Sequence, residues 1–132
     1  MKPCPCGSGL WFAKCCKQII SGKKVAETAE QLMRSRYTAY TRANIAYIQA
    51  SMTVPAAEGF DAESAQQWAQ EAQWQKLRIL KTTGGGTEDQ NGTVEFSAEY
   101  RLDGQTHTLR ENSRFIRQNQ RWLYYDGTTT HA

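Results

Sequence analysis

The sequence predicts an α+β protein in which about three helices precede about four antiparallel strands, with a short cysteine-rich segment ahead of both. Three observations support this prediction. All four cysteines lie between Cys4 and Cys16. Apolar residues then recur at the three- and four-residue spacing of helices, and from Trp74 the spacing changes to the two-residue period of strands. A chain of 132 residues has room for one hydrophobic core and a small appendage.

The cysteine-rich segment contains a Cys-x-Cys pair and, after eight intervening residues, a vicinal Cys-Cys pair. Four thiolates are the complete ligand set of a closed tetrahedral zinc site, so we expect one structural zinc ion. Ser8 is expected to cap a short helix over residues 10–17 that carries the second pair. The expected metal ligands are Cys4, Cys6, Cys15 and Cys16.

Disulfides and reactive thiols are the two alternative uses of clustered cysteines. The chain starts Met1-Lys2-Pro3 without the apolar stretch of a secretory signal, so we expect a cytoplasmic protein. Disulfides are rare in that reducing compartment, which favours metal binding. Redox chemistry remains open because thiolates near Lys14 and Lys17 would be acidified if the metal left.

Charge is distributed unevenly along the chain. Residues 1–26 contain five lysines and no acidic residue, whereas the whole chain has a formal charge of +3, which leaves a net −2 for the rest. One interpretation is that this basic segment contacts an acidic partner, either a protein or a ribonucleoprotein. The other is that the lysines only offset the negative charge of a zinc ion bound by four thiolates. The residues expected to contact a partner are Trp11, Lys14, Lys17, Lys23 and Lys24.

Sequence-specific DNA binding and membrane insertion are not expected. The cysteines lack the following histidine pair of a DNA-binding zinc finger, and no arginine-rich recognition helix follows. No apolar run reaches the roughly 18 residues that a membrane span needs.

Three helices are predicted in the first half of the chain, each introduced by a side chain that can accept hydrogen bonds from free backbone N–H groups. The first is the central helix, whose apolar residues fall on one side at helical spacing. Residues 51–60, with Pro55 and Gly59, are expected to form a loop. The expected N-caps are Thr28, Asn44 and Asp61.

Four strands are predicted in the second half, over residues 77–83, 94–102, 106–117 and 121–127. Asp103-Gly104 is a strong signal for a tight hairpin, and Asn119-Gln120 marks a further turn. The glycine run at residues 84–86 lacks the Lys-Ser or helix start of a phosphate-binding loop, so it is expected to be a flexible connection.

One candidate pocket follows from polar residues at positions where the pattern calls for apolar ones. Arg36 lies on the helix face that should meet the sheet, and a buried guanidinium needs a carboxylate partner. Strict alternation along the strands places Glu111 and Asp126 on the inner face with it. The set suits either a ligand pocket with a general base or a buried salt bridge that docks helix and sheet, whereas Arg34 and Arg114 are expected to be exposed. The candidate pocket residues are Arg36, Tyr40, Glu111, Ser113, Tyr124 and Asp126.

The residues also carry a resemblance to known families. Cys-Pro-Cys-Gly-Ser-Gly, the aromatic Trp11 and the Cys-Cys pair resemble the SEC-C motif, a small zinc-binding segment. Leu-Met-Arg-Ser-Arg-Tyr-Thr-Ala-Tyr at residues 32–40, Ser-Arg-Phe at 113–115 and Trp-Leu-Tyr-Tyr-Asp-Gly at 122–127 resemble the bacterial YchJ-like family, also called UPF0225.

This resemblance implies a SEC-C motif at residues 1–22 fused to an NTF2-like domain at residues 23–132. Such a domain is a cone of helices against a curved antiparallel sheet, and the family has no established biochemical activity. Many folds of this type pair through the sheet, so a homodimer is a further expectation.

Two functions from different classes remain open. The preferred one is a non-enzymatic interaction protein whose basic SEC-C module contacts a protein or ribonucleoprotein partner. The alternative is a small-molecule-binding or enzymatic NTF2-like domain, in which Glu111 or Asp126 works inside the cone.

Overall fold

The computed structural model describes the backbone of residues 2–131 and the side chains of residues 2–129. Its antiparallel sheet has four strands in sequence order, and helices cover one face of the sheet, so the α+β prediction is confirmed. The strands are β1 (Gln73–Gly84), β2 (Asn91–Leu102), β3 (Gln105–Gln118) and β4 (Arg121–His131). The helices are α1 (Cys16–Ile20), α2 (Ala29–Thr41), α3 (Ile45–Ala50), α4 (Val54–Glu58) and α5 (Ala62–Glu71), with a 3-10 turn at Phe12–Lys14.

The central helix α2 begins where its capping residues predict. The Thr28 hydroxyl accepts a hydrogen bond of 3.1 Å from the Gln31 backbone N–H. The Gln31 side chain in turn accepts one of 2.8 Å from the Glu27 N–H, one residue earlier than in a regular capping box. Ala29, Leu32, Met33 and Tyr37 form the part of its buried side that joins the main core.

The N-caps of the two other predicted helices are also confirmed. Asn44 Oδ1 and Asp61 Oδ1 each accept a hydrogen bond of 3.1 Å from the backbone N–H three residues further on. These bonds satisfy donors that a helix start would otherwise leave free. They place α3 and α5 within a residue or two of the expected positions.

The loop expected over residues 51–60 was wrong, because it contains the short helix α4. Thr53 caps this helix by accepting a hydrogen bond of 3.4 Å from the Ala56 N–H. Pro55 lies in the first turn, where its missing N–H costs nothing and its fixed φ suits a helix. The proline therefore marks a helix start here rather than a loop.

Both predicted turns join neighbouring strands tightly. Asp103 and Gly104 have φ values of 53° and 76°, so both lie in the left-handed region that a two-residue hairpin turn requires. Asn119 and Gln120 have φ values of 51° and 66° and connect β3 to β4 in the same way.

The glycine run at residues 84–86 is bonded to two other elements. The Gly85 carbonyl accepts a hydrogen bond of 2.9 Å from the Ala29 N–H at the start of α2. The Gly86 carbonyl accepts one of 3.1 Å from Arg117 of β3. This segment, expected to be a flexible connection, is therefore hydrogen-bonded to both the central helix and the sheet.

A β-bulge interrupts the pairing of β3 with β4. Arg114 pairs with Asp126 and Phe115 pairs with Tyr124, so Tyr125 is the extra residue. Beyond the bulge, each residue of β4 lies on the face of the sheet opposite to the one that regular alternation would give it. Asp126 therefore lies on the outer face, where Arg114 donates a hydrogen bond to it. The expectation that Asp126 faces the interior was therefore wrong, because counting by twos fails across a bulge.

The segment of residues 2–22, which we call the cysteine module, shares its core with the domain. Cys4, Cys6 and Cys16 belong to the same buried cluster as Met33 and Tyr37 of α2. The module is therefore packed on the central helix. Within the part of the chain that the structure describes, no helix is long and apolar enough to cross a membrane.

Candidate functional site

The sulfur atoms of the four cysteines converge. All four Sγ atoms lie within 4.8 Å of one another, with 3.7 Å between Cys6 and Cys15 and 3.9 Å between Cys15 and Cys16. Tetrahedral zinc with bonds of about 2.3 Å requires sulfurs about 3.8 Å apart. All four cysteines are free rather than paired in disulfides. The donor set and its spacing therefore fit a metal ion.

Different local structures present the two cysteine pairs. Cys4 and Cys6 belong to one turn, in which the Gly7 N–H donates to the Cys4 carbonyl at 3.2 Å, and Gly7 adopts a φ of 78° that favours glycine. Cys15 lies between the 3-10 turn and α1, with φ −130° and ψ −117°. This break lets adjacent side chains approach one ion, so the continuous helix expected over residues 10–17 was wrong.

Ser8 contacts the cluster and does not cap a helix, contrary to expectation. Its Oγ lies 3.2 Å from Cys15 Sγ and accepts a hydrogen bond of 3.2 Å from the Leu10 N–H. Hydrogen bonding from Cys16, assisted by Ser8 and opposed by burial, lowers the pKa of Cys6 to about 4. This shift favours the thiolate at Cys6, the form in which cysteine binds metals.

Two arginines of the central helix region hold the cysteine module in place. Arg34 Nη1 donates a hydrogen bond of 2.6 Å to the Cys6 carbonyl. The guanidinium carbon of Arg42 lies 4.5 Å from the centre of the Phe12 ring, a cation–π contact. Arg34 was expected to be exposed, but the module covers it and leaves its side chain 23% exposed.

A groove of about 260 Å³, which we call the basic groove, lies between the module and α2. Lys14 and Lys24 line it together with Leu10 and Arg34. Glu30 is the one acidic residue among the described residues that line the groove, and it already pairs with Arg34 at 3.0 Å. Neither lysine forms an ion pair among residues 2–129, and the other acidic groups at the groove are the thiols of Cys15 and Cys16.

The other three residues expected to contact a partner lie outside the basic groove. Trp11 is 48% exposed, and its backbone forms a bridge with Pro3. Lys17 and Lys23 are exposed as well. None of the ion pairs found among residues 2–129 includes a lysine. The predicted basic residues are thus accessible, and two of the four line the basic groove.

A cavity of about 150 Å³ lies between α2 and the inner face of the sheet. Aromatic side chains that the sequence analysis did not assign to a pocket form much of its wall, including Phe60, Trp68 and Trp74. Asp126 does not line the cavity, because the bulge at Tyr125 places it on the outer face of the sheet. The five other predicted pocket residues do: Arg36, Tyr40, Glu111, Ser113 and Tyr124.

Arg36 is only 6% exposed, yet one of its three nitrogens makes all its hydrogen bonds. Nη1 donates to the Ile48 carbonyl at 2.8 Å and to Ser51 Oγ at 2.6 Å. Nε and Nη2 have no hydrogen-bond partner among residues 2–129. The guanidinium carbon lies 4.5 Å from the centre of the Tyr124 ring. Among these residues no carboxylate pairs with Arg36, so the ion pair expected for it was wrong.

Glu111 faces the cavity, where two hydroxyl groups hold it. Ser113 Oγ donates to one carboxylate oxygen, and Thr129 Oγ1 donates to the other at 3.0 Å. Gly127 leaves room for this arrangement, since a Cβ there would lie 2.6 Å from Glu111 Oε2 and 3.0 Å from the Tyr124 hydroxyl. Gly127 and Thr129 were missed because the bulge brings them to the inner face.

The cavity is better suited to binding than to proton transfer. Among its described lining residues Glu111 is the one carboxylate, and no histidine is present. Burial raises the pKa of Tyr40 and raises that of Tyr124 to about 12, so both phenols remain protonated at neutral pH. They can donate hydrogen bonds to a ligand but do not serve as bases there.

The fold and the cluster together define an NTF2-like domain preceded by a SEC-C-type cysteine module. The family described as YchJ, middle NTF2-like domain, matches residues 28–127. A UPF0225 protein of Geobacter sulfurreducens is 45% identical over 124 residues, which cover 94% of this chain and 77% of that protein. The chain belongs to the YchJ-like family, UPF0225, as the resemblance in its sequence predicted.

Solved structures agree with this assignment. The solution structure of a SEC-C motif containing protein from Rhodopseudomonas palustris has a TM-score of 0.86 and 32% identity, and the match covers 95% of this chain and 96% of that one. A crystal structure of a SEC-C motif containing protein from Psychrobacter arcticus has a TM-score of 0.81 and covers 98% of this chain and 83% of that one. At 24% identity the latter supports the fold alone.

Proposed function

We propose that this protein is a non-enzymatic interaction protein of the cytoplasm, with one structural zinc ion in the cysteine module and an acidic partner protein on the basic groove. The observation that carries the proposal is the groove itself, in which Lys14 and Lys24 lie beside Leu10 and form no ion pair among residues 2–129. An acidic segment with one apolar side chain has the complementary chemistry.

Zinc is the proposed metal because four thiolates at tetrahedral spacing are its preferred structural ligand set. Four protein ligands leave no position open for a substrate, so the role of the ion is structural. Bound there, it would hold the turn of Cys4 and Cys6 against the start of α1 at Cys16.

A protein partner suits the basic groove better than RNA. Arg34 is already engaged by Glu30 and by the Cys6 carbonyl, so Lys14 and Lys24 supply the free charge. Phosphate backbones are bound by longer rows of cations, because affinity comes from neutralising many phosphates at once. Two lysines beside an apolar side chain are complementary to a short acidic peptide that carries one apolar side chain.

Charge reversal tests this proposal with a matched control. The double variant Lys14→Glu/Lys24→Glu changes the groove, whereas Lys17→Glu/Lys23→Glu makes the same charge change outside it. We expect proteins captured from native lysate by the wild type to be lost with the groove variant, retained with the control and insensitive to ribonuclease. Capture that is equal for both variants, or that ribonuclease abolishes, would contradict a protein partner on the groove.

Small-molecule binding in the aromatic cavity is a second candidate function. The observation in its favour is Arg36, a buried cation that lines the cavity and has two nitrogens without a hydrogen-bond partner among residues 2–129. Binding is favoured over catalysis because Asp126 lies outside and Glu111 is held by Ser113 and Thr129.

A further inference from the structure

We propose that the cavity binds a small monoanionic carboxylate with a flat apolar body, and that Arg36 holds the carboxylate. The proposal rests on the second candidate function, that the cavity takes a ligand at all. It adds the chemical class of the ligand and the atoms that recognise it.

The first argument is the free edge of Arg36. Nη1 is occupied by Ile48 and Ser51, which leaves Nε and Nη2, the edge that binds a carboxylate with two parallel hydrogen bonds. The same protein shows this mode on its outer face, where Arg114 donates from Nε and Nη2 to the two oxygens of Asp126, with 2.6 Å from Nε to Oδ1. Arg36 presents the same edge without such a partner among residues 2–129.

The second argument is charge. Arg114 is 58% exposed, whereas Arg36 is only 6% exposed, and a cation so far removed from solvent is stabilised by an opposite charge in contact with it. The one carboxylate that shares the cavity, Glu111, is engaged by Ser113 and Thr129 and forms no ion pair with Arg36. A ligand carboxylate would place an opposite charge in direct contact with the guanidinium, which Glu111 does not do.

The third argument is size and shape. A cavity of about 150 Å³ is of the size that takes up benzene in another protein. Trp68 and Trp74 form part of the wall, with ring centres 4.9 Å apart and nearly perpendicular planes, so a flat ring can contact a ring face or edge. Phosphate, often a dianion, would be repelled more strongly by Glu111 and would find few donors on these aromatic walls.

The experiment uses four probes on the full, metal-loaded chain. Benzoate, benzyl alcohol and phenyltrimethylammonium share a benzene ring and carry a negative, no and a positive charge, and inorganic phosphate is an anion without a ring. Binding is measured by isothermal titration calorimetry and by shifts of the cavity residues in two-dimensional NMR spectra. We expect benzoate to bind at least about tenfold more tightly than each of the others, the gain of one charge-assisted pair.

Variants test the roles of the two charges. Glu111→Gln removes the like charge and is expected to tighten benzoate binding, whereas a cationic ligand would bind more weakly to it. Arg36→Lys keeps the charge but loses the two-pronged edge, and we expect at least about tenfold weaker benzoate binding. Arg114→Lys makes the same change on the outer face and should leave benzoate binding unaltered. If Arg36→Lys does not fold, the carboxylate class is still tested by the relative affinities of the four probes and by the effect of Glu111→Gln on benzoate binding.

The outcomes separate the two levels of the proposal. Absence of binding by all four probes would overturn the ligand-binding function itself. Tighter binding of the alcohol, the cation or phosphate than of benzoate would keep that function and overturn the carboxylate class. Weaker benzoate binding by Glu111→Gln would also overturn the carboxylate class.

Discussion

Arg34 of the central helix donates a hydrogen bond of 2.6 Å from its guanidinium to the backbone carbonyl of Cys6, 28 positions earlier in the chain. This bond joins the middle of α2 to the turn that presents two of the four sulfurs. The core is continuous across the same contact, because Cys6 and Met33 belong to one buried cluster. The cysteine cluster and the domain therefore share one hydrophobic core, and their stabilities should be coupled.

Removal of the metal is expected to lower the unfolding temperature of the whole protein. Structural zinc contributes on the order of 10 kcal/mol to the folding of small modules, and here the sulfurs are part of the domain core. Differential scanning calorimetry with and without a strong chelator measures the effect, and Cys6→Ser should reproduce it. If the domain transition kept its temperature in chelator, the shared core would not couple the two parts.

Replacement of the arginine that joins module and helix should loosen the module. Arg34→Leu loses the hydrogen bond to Cys6 and the ion pair with Glu30, so we expect the free energy of unfolding to fall by about 1.5–3 kcal/mol. Urea unfolding measures this, and transfer of metal to a coloured chelator should become faster. Arg110→Leu, which removes a more exposed pair with Glu95 on the outer face, is the control and should change neither measurement appreciably.

A methyl group at Gly127 should disturb the cavity. The Cβ of Gly127→Ala would lie 2.6 Å from Glu111 Oε2, so the carboxylate must move, and we expect a loss of about 1–3 kcal/mol in unfolding free energy. Gly59→Ala is the control, because the nearest atom to its Cβ is 4.0 Å away. Equal stability of the two variants in denaturant titrations would show that Glu111 is not confined as described.

Alkaline unfolding should involve Tyr124. Burial raises the pKa of Tyr124 from 10.0 to about 12, so the folded state holds this proton more tightly than the unfolded chain does. Its contribution to stability is complete below pH 10 and is lost as the pH rises towards 12. Tyr124→Phe should therefore flatten the decline of the unfolding free energy over this range. An unchanged slope for Tyr124→Phe would contradict this assignment.

Neutralisation of Asp126 should leave the cavity as it is. Asp126→Asn removes the outer pair with Arg114 but no group that lines the cavity, so the affinity for benzoate should equal that of the wild type. Calorimetric titration of the two proteins side by side measures this. A changed affinity would mean that the bulge does not hold Asp126 outside in solution.

Features determined by a few neighbouring residues could be predicted from the sequence. The cysteine spacing specifies a ligand set, and Thr28, Asn44 and Asp61 each cap the helix that they precede. Asp103-Gly104 likewise makes its turn with local backbone geometry alone. The family resemblance added the NTF2-like fold, which no local pattern contains.

Features that depend on distant parts of the chain could not be predicted in the same way. Arg36 was correctly placed inside, but its acceptors are the Ile48 carbonyl and the Ser51 hydroxyl, which tertiary packing brings to it. The burial of Arg34 by the cysteine module likewise depends on residues that are distant in the sequence. The bulge at Tyr125 leaves no clear mark in the sequence, because both neighbours of this residue are compatible with a regular strand.

That bulge also decides the charge balance of the interior. A regular β4 would carry Asp126 and Thr128 to the inner face and send Gly127 outward. The cavity would then hold two carboxylates and one guanidinium, and a small anion would meet net repulsion. With the extra residue, the numbers of positive and negative groups among the described lining residues are equal. One inserted backbone unit, rather than any change of side chain, thus sets the ratio of acidic to basic groups that face the cavity.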